Sequence, residues 1–171
     1  MSIPAAGAPV FRGNYQLNMD AKGRLAVPKK YRDCLEAESG PKMVITTGEY
    51  EDCLVVYPLP EWQRIEERLR QQPDLKPEAD DEARAKAEWT CRLVIGNATD
   101  CDIDSHGRLL IPPPLREHAE LEKQVRMVGQ TEKFELWDES KWSARSAEEF
   151  TRNKDRIRQA RSNWTGPAAS S

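Results

Sequence analysis

The chain has 171 residues, a formal charge of −3, 38% hydrophobic and 32% charged residues. That is enough for one domain or two small ones with a strongly solvated surface, and no apolar run approaches the roughly 20 residues a membrane helix needs. Cys34, Cys53, Cys91 and Cys101 show no C-x-x-C pair and no zinc-like spacing with His106 or His118; reduced thiols in a cytoplasmic protein are the simplest expectation.

Met1 to Val10 is small and proline-containing without a basic n-region, so residues 1–10 read as a flexible arm rather than a signal peptide. Tyr15, Leu17 and Met19 then alternate with polar residues, the period of a half-buried strand. Asp20 opens a tight turn that Gly23 closes, with Gly23 expected at positive φ. Leu25 to Val27 resume an extended run, and Pro28 suits the start of a short helix with Tyr31 and Leu35 on its apolar side. Met43–Thr47 and Cys53–Tyr57 read as two more strands. Pro60-Glu61-Trp62 opens a longer helix, and a second is expected from Pro77, with Ala79, Ala83, Ala87 and Cys91 recurring every four residues until Gly96-Asn97. These helices read as an αα-hairpin over residues 60–92.

The order then repeats, because the chain is a tandem duplication. Asp20-Ala21-Lys22-Gly23-Arg24-Leu25-Ala26-Val27-Pro28 returns as Asp104-Ser105-His106-Gly107-Arg108-Leu109-Leu110-Ile111-Pro112, 84 positions later. At that offset Leu17 aligns with Cys101, which favours a packing role for the cysteine, and Arg32 with Arg116, Met43 with Met127. Beyond the strands the offset drops to 80, aligning Tyr57 with Trp137 and Trp62 with Trp142, as one turn four residues shorter in the second copy would require. The copies are expected at 14–57 and 93–137. A C-terminal helix should follow at 138–150, with Asp138 a candidate N-cap, and then a disordered basic tail at 151–171.

Several chemistries fit poorly. Asp100-Cys101-Asp102-Ile103-Asp104 begins like a calcium loop but has Ser105 at the sixth position and Ile111 at the twelfth, where Gly and Glu belong. No nucleophile, base and orienting acid are legible together, and the phosphate-binding glycine patterns are absent, so no enzyme, metal, cofactor or small-molecule substrate is expected. The five tryptophans could be base-stacking platforms, but the equivalent positions of Trp62 and Trp142 on amphipathic helices favour core.

The aspartates most simply brace their turns, with Asp20, Gly23, Asp104, Gly107 and Arg108 owed to the fold. The copies differ in charge, however. Lys22, Lys29 and Lys30 of the first become His106, Pro113 and Pro114 in the second. Extra cations around one motif favour a phosphate-docking surface through counterion release, and Arg can add bidentate contacts to guanine. Arg24, Lys22, Lys29, Lys30 and the upstream Arg12 are therefore candidate contacts to double-stranded DNA. The rival is a solvated charge cluster.

Phe11-Arg12-Gly13, the duplicated D-x-x-G-R, Tyr57-Pro58-Leu59-Pro60-Glu61-Trp62 and Phe134-Glu135-Leu136-Trp137 resemble the MraZ family over roughly Phe11 to Phe150. The resemblance implies an α+β fold in which two SpoVT/AbrB-like repeats form a double-split β-barrel. It also implies a ring-shaped homo-oligomer, a DNA-binding transcriptional regulator acting on short repeats upstream of the division and cell-wall gene cluster, and nucleoid association. The family's DNA-contacting arginine matches Arg24; Lys22 and Lys29 are additions from charge. Similar folds serve as antitoxins, so a protein-interaction module whose basic tail wraps a partner is the alternative.

Overall fold

The computed structural model describes residues 10–48 and 52–162. Residues 1–9 of the expected arm, Trp164 and the end of the tail lie outside them. The first copy comprises β1 (Asn14–Asn18), β2 (Arg24–Ala26), α1 (Lys29–Glu38), β3 (Lys42–Thr47) and β4 (Leu54–Pro58), followed by α2 (Leu59–Arg70) and a short 3-10 helix at Pro73–Leu75. After α3 (Asp81–Gly96) the second comprises β5 (Thr99–Asp102), β6 (Arg108–Leu110), α4 (Pro113–His118), β7 (Gln124–Gly129) and β8 (Phe134–Asp138). The chain divides into two compact units after Asp138, the second carrying α5 (Glu139–Arg152) and α6 (Lys154–Ser162).

Local chemistry accounts for the differences from the expected boundaries. The second linking helix starts at Asp81 rather than Pro77 because the Asp80 carboxylate accepts the backbone N–H groups of Glu82 and Ala83, both at 3.0 Å. It runs to Gly96, where the Gly96-Asn97 stop is expected, so the linking segment extends past residue 92. Residues 154–162, expected to be disordered, are helical. A run of Arg, Lys, Gln and Ala without Gly or Pro has strong helix propensity, and polarity alone did not indicate disorder.

All strand pairs are antiparallel, and the copies exchange strands. One sheet has the order β1-β7-β8-β4-β3-β5, and a two-stranded ribbon pairs β2 with β6. Swapping the copies turns the six-strand order into its own reverse, so a pseudo-twofold axis relates them. β1 lies against β7, β5 against β3, β4 against β8 and β2 against β6. Each of these pairs joins one copy to the other. Residue ranges 14–57 and 93–137 are thus repeats in sequence but halves of one body in space.

The register refines the repeat. Asp102 sits opposite Lys42, and the equivalent Asn18 sits opposite Gln124. Lys42 therefore corresponds to Gln124, an offset of 82, and the core pairs Met43 with Val125 and Ile45 with Met127. The four-residue shortening is split, two residues before β7 and two in the β7–β8 turn. A two-residue slip keeps every side chain on its face, so alternation could not reveal it.

The core lies between sheet and ribbon. Leu25 and Leu109 from the ribbon join Met43, Ile45, Val56, Val125, Met127 and Leu136 from the sheet, with Leu35 and Leu115 from the short helices. Leu17 and Cys101 both pack against this cluster, and burial pushes the Cys101 thiol up to about 12. Symmetry breaks at one end, where Phe11 contacts Tyr31 at 4.9 Å and Phe134 at 5.2 Å, edge-on. Trp62 is buried on α2 and meets Tyr57 at 5.6 Å, a packing role as expected, whereas Trp89 is exposed.

Because every inter-copy strand pair would be lost, a chain truncated to residues 1–75 is expected to be unfolded by circular dichroism or to form a homodimer by light scattering. A folded monomer would contradict the exchange.

Candidate nucleic-acid interface

Both duplicated turns are built alike. The Asp20 backbone carbonyl accepts Gly23 N–H at 2.9 Å, and its carboxylate accepts the N–H groups of Lys22 at 2.9 Å and Arg24 at 3.0 Å. Asp104 does the same for Gly107, His106 and Arg108, all at 2.9 Å. Each aspartate also holds its arginine: Arg24 Nε donates at 2.7 Å, Arg108 Nε at 2.9 Å. These bonds, the arginine backbone N–H foremost, hold both carboxyls below their ordinary value of 3.8.

Gly23 and Gly107 take φ of +85° and +74°, as expected for their turns. Each is also covered by an arginine from the opposite copy. A methyl group on Gly23 would fall 2.6 Å from Arg116 Cζ, and one on Gly107 would fall 2.7 Å from Arg32 Cδ. Arg32 is fixed there by donating from Nε to the Val27 carbonyl at 3.1 Å. The sequence pairs Arg32 with Arg116 by position but marks neither as a site residue; their equivalent positions are the available signal.

The ribbon decides where the charges go. Arg24 faces Leu110 and Ala26 faces Arg108 across it, with Leu25 and Leu109 pointing into the core. Its outward face therefore carries Arg24, Ala26, Arg108 and Leu110. Ile111 N–H donates to the Gly23 carbonyl and Val27 N–H to the Gly107 carbonyl, both at 2.9 Å. Lys29 and Lys30 follow Val27, so they stand beside the second turn and not beside Lys22. The first motif's cations are thereby split between two ends roughly 13 Å apart, four residues of strand. Lys22, Arg24 and Arg116 mark one end; Arg108, Arg32, Lys29 and Lys30 mark the other.

Arg24 and Arg108 are nearly equivalent in exposure, at 27% and 31% of the side chain. The fold does not separate a DNA-contacting arginine from a purely structural one. Arg24 bonds Asp20 through Nε, and Arg108 reaches Asp104 through both Nε and Nη2, each at 2.9 Å. Lys22 and Lys30 are exposed, and Lys29 pairs with Asp33 on the solvated face of α1 at 2.6 Å. Arg12 is not brought to the site. It follows Phe11, which bonds Thr131, at the end of β1 opposite the Asp20 turn. Asp100 and Asp102 lie on the exposed face of β5 with Cys101 turned inward.

A family profile described as "MraZ protein, putative antitoxin-like" matches residues 10–85 and 94–161. The chain belongs to the MraZ family. Its second matched segment runs past Phe150 and takes in most of α6, further than the resemblance of the motifs alone. Transcriptional regulator MraZ of Halorhodospira halophila is 51% identical over 139 residues, covering 81% of this chain and 86% of the relative. The protein of that name from Pseudomonas aeruginosa LESB58 is 47% identical over 135 residues, covering 79% and 84%. That from Pseudomonas putida GB-1 is 46% identical over 138 residues, covering 81% and 86%. MraZ is a family of transcriptional regulators and not of enzymes. No helix among the described residues is long and apolar enough to cross a membrane.

Two measurements check the turns. Gly23→Ala and Gly107→Ala should each destabilise by more than about 1 kcal/mol in denaturant unfolding, through strained φ and displaced arginine. The lowered aspartate values mean that the unfolded chain binds more protons in acid. The turns therefore contribute fully above pH ~4, and less as pH falls through the folded values. An Asp20→Asn/Asp104→Asn double variant should show a flatter loss of stability below pH 4 than the parent.

Proposed function

We propose that the chain is a sequence-specific DNA-binding regulator whose β2/β6 ribbon and its two turns meet double-stranded DNA. The supporting observation is the symmetric outward placement of Arg24 and Arg108 on a two-stranded ribbon, each beside an arginine of the other copy. A major groove about 12 Å wide admits such a ribbon, and arginine can read guanine edges bidentately. Arg32, Arg116, Lys22, Lys29 and Lys30 supply phosphate contacts at the two ends. The sheet and ribbon enclosing one core under a pseudo-twofold axis suit closure as a double-split β-barrel.

The net charge of −3 disfavours tight binding by a single subunit. A ring-shaped homo-oligomer presenting several ribbons to short repeated sites overcomes this through avidity. The sites would be the repeats upstream of the division and cell-wall gene cluster, with the protein associated with the nucleoid. A second reading, an antitoxin-like interaction module, is favoured by the family description and by the separate unit that begins at Glu139. A stoichiometric partner that co-purifies only when residues 139–171 are present would support it over DNA binding.

Arg24→Ala and Arg108→Ala should each weaken binding to the promoter fragment by about 5- to 150-fold, about 1–3 kcal/mol per lost bidentate contact, in folded protein. Loss confined to Arg24→Ala would overturn the two-turn arrangement. On a probe cut to one repeat, affinity should fall steeply; unchanged affinity would remove the role of avidity.

A further inference from the structure

The two C-terminal helices treat their charges differently. On α5, Arg145 and Arg152 are neutralised by Glu148 and Glu149, with Arg152 Nη1 2.9 Å from Glu149. On α6 the residues Lys154, Arg156, Arg158 and Arg161 face a single carboxylate, Asp155, which reaches only Arg158, at 3.9 Å. Lys154, Arg156 and Arg161 have no ion-pair partner among the described residues.

Positions 154, 158 and 161 are four and three residues apart, so their cations share one helix face. Like charges at that spacing destabilise a helix. The macrodipole favours Asp155 in the first turn and Arg161 in the last but disfavours Lys154 at the N-terminus. Local stability therefore does not account for Lys154 or for its spacing to Arg158. An anion supplied from outside does.

The geometry points to α6 as a sequence-independent docking face for the DNA backbone, separate from the ribbon; this rests on the DNA-binding reading proposed above. Seven residues of helix advance about 10 Å, over which a duplex carries about six phosphate charges. Two other anionic surfaces fit less well. A membrane-surface helix needs a broad apolar face of large side chains, and α6 offers Ile157 and Ala160 alone. The α3 helix of a second copy has its three carboxylates engaged: Glu82 with Lys86 at 2.7 Å, Glu88 with Arg92 at 3.1 Å and Asp81 with Arg84 at 3.4 Å. In this arrangement the ribbon selects the sequence, and α6 adds affinity that any duplex satisfies.

The test compares the full chain with a Lys154→Gln/Arg158→Gln/Arg161→Gln variant, checked for helix content and oligomeric size. Binding is titrated against salt by fluorescence anisotropy, on the promoter duplex and on a shuffled duplex of equal length. The slope of log affinity against log salt should become shallower by about 2.7 per bound subunit on both duplexes, 0.9 for each lost cation, while the preference for the promoter is kept. An unchanged slope in a folded variant overturns the role of α6 and leaves the ribbon reading standing. Binding to anionic lipid vesicles that the variant loses, with no change in DNA slope, also overturns it. Absence of any promoter preference in the parent chain instead strikes the ribbon reading, and the slope on the shuffled duplex still decides for α6.

Discussion

Leu25 and Leu109 meet across the β2/β6 ribbon without solvent exposure, flanked by Val27 and Ile111. Burying a leucine side chain contributes about 1.5–3 kcal/mol, and here each copy can bury its own only by pairing with the other. The same dependence holds along the sheet, where β1, β4 and β5 all pair with strands of the opposite copy. Every feature of the candidate interface descends from this exchange. The ribbon exists because the copies share it, and its two polar ends are each assembled from both.

The aspartate at each turn links fold to site. By accepting two backbone N–H groups it shapes the loop, and by accepting the arginine Nε it fixes the direction of the guanidinium. An arginine held in this way loses less rotamer freedom on meeting a partner, which favours binding without further contacts. The covering arginines, Arg32 and Arg116, add charge at each glycine without adding bulk to the loop. Local fields of this kind, and not a net charge of −3, set what the ribbon attracts.

Much of the secondary structure was readable from local pattern. Alternation marked β1, the Asp-to-Gly spacing marked both turns, and Trp62 marked the apolar side of α2. Local pattern misleads where two signals compete or where a polar segment is nonetheless ordered. Asp80 displaced Pro77 as the start of α3, and the arginine-rich 154–162 proved helical. The offset of 82 between β3 and β7 was invisible for a stricter reason, since a two-residue slip leaves the inward and outward pattern intact.

The sequence by itself determined that the chain is duplicated, that each copy carries a braced Asp–Arg turn, and that cations gather around the first motif. These are properties of residues near one another along the chain, where spacing and composition act directly. Which turn those cations serve was decided only by tertiary structure. Once β2 runs antiparallel to β6, the residues after Val27 arrive at the second turn, and Arg116 arrives at the first. Two copies that look unequal in charge become two ends of comparable charge, because strand pairing across the pseudo-twofold axis joins positions far apart in the chain.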